Sequence, residues 1–176
     1  MKRQIIVAGL ILLVGLVGQA AAQNDPDLDR LQEKLTRHLE TKMPGWRHRR
    51  GEPIEGSKGV LTEFWLFSNR IVKTSVVKYD SAQRAQEVLQ GFAKYESQKA
   101  ELKGLGDEAY SWGYGMSDVV FRKGRFIVNV STYAEVESDP DARTLSQSER
   151  SAREKSEKKR LSEEFSKHLA TAIDLP

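Results

Sequence analysis

The chain has 176 residues, no cysteine, and 28 Lys and Arg against 25 Asp and Glu. That is the size of one domain without a disulfide framework. Residues 1–22 carry two of the cations and no acid, so the 154 residues after them hold 26 positive and 25 negative charges. Near-neutrality excludes a globally basic nucleic-acid binder, and a domain of this length buries about 70% of its unfolded surface without covalent staples.

The N-terminus has the form of a secretory signal. Lys2 and Arg3 are followed by an unbroken apolar or glycine run over residues 5–17, and then by Ala20, Ala21 and Ala22. The pattern predicts cleavage before Gln23. A run of 13 residues is shorter than the roughly 20 needed to span a bilayer, and a lipid anchor would need a cysteine that the chain lacks. The expectation is a bacterial protein exported to the periplasm or beyond, with no membrane anchor once the signal is removed and no need of disulfides. The sequon Asn129-Val130-Ser131 then has no role.

Asp25 and Pro26 read as an N-cap and a proline in the first helical turn. Leu28, Leu31, Leu35 and Leu39 give a helix running to about residue 42 one apolar face, and Pro44-Gly45 ends it. Residues 46–59 are polar and read as a loop with one short extended piece near Ile54. Residues 60–67 (VLTEFWLF) predict a strand. A turn at Ser68-Asn69-Arg70 leads into a second strand over residues 71–79, with Val72, Thr74 and Val76 on one face and Lys73 and Ser75 on the other. Ser81 caps a helix whose buried stripe is Ala85, Val88, Leu89, Phe92 and Tyr95, and this helix frays over residues 99–103.

Residues 103–131 are dense in glycine and aromatic side chains. They predict a glycine entry loop (Gly104, Gly106), a strand over residues 109–114, a turn, a strand over 119–122, a tight turn at Lys123-Gly124, and a last strand over 125–133. In that strand Phe126, Val128 and Val130 share one face while Asn129 and Ser131 share the other, a pattern that predicts an antiparallel sheet covered on one side. Residues 138–160 are a charged, solvent-exposed linker or helix extension. Leu161, Phe165, Leu169 and Ile173 then define a closing amphipathic helix. Capping-box spacings at Ser146/Glu149 and Ser151/Glu154 allow one long helix from about residue 146. The order α-β-β-α-β-β-β-α, joined by hairpins, predicts a single α+β domain over residues 23–176 with a sheet of about five strands.

Motifs for chemistry are sparse. His38, His48 and His168 have no ligand spacing, so no metal is expected, and no nucleophile elbow or catalytic cysteine occurs. Gly104-Leu105-Gly106-Asp107 lacks the Gly-Lys-Ser/Thr end of a phosphate loop and precedes a strand, so its glycines and Asp107 read as turn chemistry. No cofactor is implied. Glu63 and Asp107, with Glu108 and Glu135 nearby in kind, are the only candidates for paired carboxylates. Glu63 reads as a residue on the exposed face of its strand. Arg47, Arg49 and Arg50, with Trp46 and His48 among them, form a basic patch suited to an anion. Trp112 and Tyr114, on a glycine-flanked segment, with Trp65, Phe64 and Phe67, are the rings that would line a ligand cleft, although core packing accounts for most of them.

The stretch Gly104-Leu-Gly-Asp-Glu-Ala-Tyr110, followed by Val-Val-Phe-Arg-Lys-Gly-Arg125 and an alternating strand, resembles a pattern found in bacterial extracytoplasmic proteins. These are secreted proteins of unassigned function and the sensor-like domains of secreted lipoproteins and receptor kinases. The hairpin over residues 60–79, the helix start at Tyr79-Asp80-Ser81 and the C-terminal helix fit the same layout. The resemblance implies the fold and supplies no catalytic residue. The chain lacks a lipobox, a membrane tether and disulfides, so a signalling role does not carry over. The functional expectation is an exported non-catalytic domain that binds a small ligand or an envelope component. The alternatives are a hydrolase using carboxylates near Asp107 and Glu63, and an interaction module using the charged C-terminal helix.

Overall fold

The computed structural model describes residues 25–52, 59–136 and 139–174. The expected signal segment and Ile54 lie outside them. In chain order the elements are α1 (Pro26–Lys42), β1 (Arg47–Arg50), β2 (Val60–Phe67), β3 (Arg70–Lys78), α2 (Ala82–Tyr95), β4 (Ala100–Glu101), β5 (Glu108–Trp112), β6 (Asp118–Lys123), β7 (Phe126–Ala134) and α3 (Gln147–Asp174). The class is α+β.

All strand pairs are antiparallel, in the spatial order β1-β2-β3-β7-β6-β5-β4. Two meanders, one on each side of α2 in sequence, therefore join through β3 and β7. The sheet has seven strands rather than about five. The additional two are β1 and β4, whose sequences carry no strand signal. Arg-His-Arg-Arg and Ala-Glu are extended because the backbone edges of β2 and β5 need partners. A charged strand at the sheet edge also discourages pairing with other chains.

Cross-strand register sorts the side chains onto two faces. Leu61, Val76, Val128, Phe121 and Ala109 form one row, and Trp65 and Val72 belong to the same face. Onto it pack Leu31, Leu35 and Leu39 of α1 and Leu161, Phe165 and Leu169 of α3. Full burial of each such side chain contributes about 1.5–3 kcal/mol, so this layer is the main source of stability. The opposite face is also covered, where a one-sided sheet was expected. Ala85 and Leu89 of α2 sit on Val120 and Ile127, which explains why Ser75 and Asn129 are buried although they lie on the polar side of their strands. Tyr95 falls off the buried stripe of α2 and is 85% exposed.

Local chemistry fixes the helix ends. The Asp25 carboxylate accepts from the amides of Asp27 and Leu28. A capping box opens α3: Glu149 N–H donates to Ser146 Oγ at 3.3 Å and Ser146 N–H donates to Glu149 Oε2 at 2.7 Å. The charged first half of α3 is not free of the sheet. Arg70 of β3 donates to Glu157 at 2.8 Å and to Asp139 at 3.1 Å, and Arg153 reaches Asp141 at 2.8 Å.

Candidate functional site

The residues expected to line an aromatic cleft do not meet. Trp65 is fully buried on the α1/α3 face, 6.1 Å from Phe165 between ring centroids. Trp112 pairs with Asp118, which pairs with Ser131, then Lys73, then Phe64. That row belongs to the opposite face, where Trp112 packs beside α2. Tyr114 lies beyond the end of β5 and is 55% exposed. Its ring is covered by the ammonium groups of Lys155 and Lys158, 4.8 and 5.1 Å from the centroid, and its hydroxyl contacts Ser151 Oγ at 2.7 Å. The glycines around it serve this docking: a Cβ on Gly115 would stand 2.8 Å from Lys155 Cα. The turn is pressed against α3 and not left open for a ligand.

The arginine patch is divided by strand alternation. Arg47 pairs with Leu66 and Arg49 with Phe64, so both project to the α2 face, with the Arg49 guanidinium 5.1 Å from the centroid of Phe64. Arg50 projects to the other face, where it donates to Gln32 Oε1 and lies 3.5 Å from Asp29.

Asp107 and Glu63 are likewise apart. Asp107 accepts from Arg122 and from the Gly124 amide, each at 2.8 Å, closing the β6–β7 turn as turn chemistry requires. Glu63 is on β2, four strand spacings from β5, or roughly 19 Å at the usual strand separation. No shared site forms. Glu108 accepts from the Tyr110 hydroxyl at 2.8 Å.

Glu63 itself is misplaced by the sequence reading. It shares the inward face of β2 with Leu61 and Trp65 and is only 5% exposed. Its Oε1 accepts from Gln32 Nε2 and from Thr36 Oγ1, both at 2.8 Å. His48 Nε2 lies 3.3 Å from the same oxygen without a directed hydrogen bond, and the imidazole rests 4.7 Å from the Trp65 ring. Gln32 is oriented from both ends, accepting from Arg50 and donating to Glu63. Around this carboxylate, between α1 and the β1–β2 edge, opens a cleft of about 810 Å³. Among the described residues, five carboxylates and two guanidinium groups line it. A carboxylate out of water is costly unless well paired, and here the two bonded donors are neutral.

The signal for this site is present in the sequence. Gln32 interrupts the apolar stripe between Leu31 and Leu35, and Glu63 has the parity of Leu61 and Trp65. Charge alone argues for exposure, while periodicity argues for burial, and periodicity is right. Comparison of the chain with protein-family models, with curated proteins and with solved structures finds no match in any of the three.

Proposed function

We propose that the chain is an exported binding domain without catalytic activity, and that it takes a small polar ligand or envelope component in the cleft between α1 and β2. The observation that carries this reading is Glu63: a nearly buried carboxylate at the base of an open cleft, held in one orientation by Gln32 and Thr36. Its cost to stability has no structural return that an apolar residue would not give more cheaply, whereas a fixed polar group at the bottom of a concavity is what orients a ligand. The N-terminal signal pattern and the resemblance of residues 104–125 to bacterial extracytoplasmic proteins support export.

A thermal-shift screen of the purified protein against polar metabolites and saccharides tests the reading. A ligand at a hundred times its Kd stabilises by about 2.7 kcal/mol, which raises Tm by roughly 5–10 °C at this size. The shift should disappear in Glu63→Gln. If no compound moves Tm, the reading falls.

A further inference from the structure

We propose that the open half of the α2 face of the sheet is a docking surface for an anionic lipid bilayer. Three cations meet the lipid phosphates, and the apolar side chains between them sit at head-group level. The surface lies on the side of the sheet away from Glu63, so it stands or falls separately from the cleft.

Register builds this surface. Arg47, Leu66, Ile71 and Tyr133 form one row across β1, β2, β3 and β7. Arg49, Phe64, Lys73 and Ser131 form the next row on the same face. The rows are roughly 7 Å apart along the strands and roughly 14 Å long across them. Neither contains a carboxylate. The apolar contacts of α2 fall elsewhere on this face, on Val120 and Ile127, with Tyr110 and Trp112 beside them. Over the two rows Arg47 and Arg49 are exposed, while Phe64, Leu66 and Lys73 are half-buried. Ile71 is 37% and Tyr133 42% exposed.

The three cations are left without counter-ions. Arg47, Arg49 and Lys73 form no ion pair among the described residues. Asp118, which continues the Lys73 row two strands away, is occupied by the hydroxyls of Ser117 and Ser131. Glu52 and Glu135 stand past the ends of β1 and β7, outside both rows. Protection of the sheet edge accounts for the arginines of β1. It does not account for Lys73, two strands in, or for Ile71 left open on the same strand.

An anionic bilayer answers both features at once. Its phosphates attract Lys and Arg held near the surface, and the boundary below them accepts aliphatic and aromatic side chains alike. An apolar patch set among polar groups marks such a contact. A single-stranded nucleic acid fits less well, because its bases stack on rings. Leu66 and Ile71 offer none, and the Phe64 ring already has the Arg49 guanidinium 5.1 Å from its centroid.

Vesicle flotation tests the proposal, using residues 23–176, which contain every described element and omit the apolar run that would itself enter lipid. The vesicles are phosphatidylcholine, with or without one third phosphatidylglycerol, at about 150 mM NaCl. Binding should require phosphatidylglycerol. Arg47→Gln, Arg49→Gln and Lys73→Gln should each weaken it about five-fold. Ile71→Thr keeps the β-branched shape that strands favour and should weaken it several-fold with every charge in place. Lys167→Gln removes the same charge from an exposed position of α3, across the sheet, and should change nothing. An equal loss in Lys167→Gln would reduce the effect to net charge and overturn the proposal. Full binding by Ile71→Thr would overturn the apolar contact, and binding to neither vesicle would overturn the surface altogether. If a single-stranded oligonucleotide binds with dependence on Lys73 and vesicles do not, lipid is the wrong partner.

Discussion

Gln32 Nε2 donates to Glu63 Oε1 across 2.8 Å, bridging 31 residues of sequence and tying α1 to β2 through a buried charge. Removing one end strands the other. Gln32→Leu should cost about 2 kcal/mol, because a carboxylate that is only 5% exposed loses one of its two hydrogen-bond donors. The double variant Gln32→Leu/Glu63→Leu should recover most of the loss, since an apolar pair of similar volume avoids desolvation altogether. Urea denaturation of the wild type, both single variants and the double closes the cycle. Additive effects would show that the bond contributes nothing beyond packing.

The same pair shows what a sequence can and cannot disclose. The inward parity of Glu63 and the break in the leucine stripe at Gln32 are local and readable. That they meet is not, because it depends on how α1 settles across the sheet. The hairpins β2–β3 and β6–β7 are legible for local reasons: alternating side chains flank a turn in which Ser68 and Gly124 adopt positive φ. Strands β1 and β4 are illegible for the converse reason, since their conformation comes from a neighbour's unpaired backbone edge. The second covered face was hidden because period-2 alternation marks a difference between faces, not whether the more polar one is bare. Trp112 and Trp65 read as one aromatic group until register assigns them to opposite sides of the sheet.

Glu157 links α3 to β3 and sets an acid limit on stability. Arg160 first, and then Arg70, hold its carboxyl down from 4.5 to about 2 against the effect of burial. The folded state thus binds this proton less readily than the unfolded chain. The stabilisation is complete above about pH 4.5 and drains away as pH falls toward 2. Glu157→Gln should lose about 1 kcal/mol at pH 7, modest because solvent reaches the group, and should flatten the pH dependence between 4.5 and 2. Urea midpoints across that window provide the measurement. An unchanged acid limb would show that Glu157 does not anchor the helix.

His38 acts in a separate and milder window. It lies on α1 with its ring centroid 5.9 Å from that of His168 on α3. Burial, then His168, then Lys42 push its pKa below the ordinary 6.5. The folded state resists protonation, so stability is at its plateau above about pH 6.5 and declines as the solution is acidified below it. His38→Gln should remove that decline between pH 7 and 5.5 while leaving the Glu157 limb in place. Urea midpoints at those two pH values suffice, and an equal decline in wild type and variant would assign the effect to another group.

Two glycines should respond to alanine with opposite sign. Gly91 lies within α2, and a Cβ built there meets nothing within 4 Å. Alanine removes the entropy penalty of glycine in a helix, so Gly91→Ala should stabilise by roughly 0.5–1 kcal/mol. Gly106 has φ +60°, and a Cβ there would stand 2.4 Å from the Arg122 carbonyl oxygen and 3.1 Å from the Phe121 ring. That carbonyl accepts from Asp107 N–H at 2.8 Å, and both the carbonyl and the ring are held by the sheet. Gly106→Ala must therefore displace β6 or break the turn that seats Asp107, at a cost of about 2 kcal/mol or more. Urea melts of the two variants beside the wild type decide it. Loss of stability in Gly91→Ala would mean that this position of α2 is not open helix surface, and tolerance in Gly106→Ala would mean that the close approach of its turn to β6 does not hold in solution.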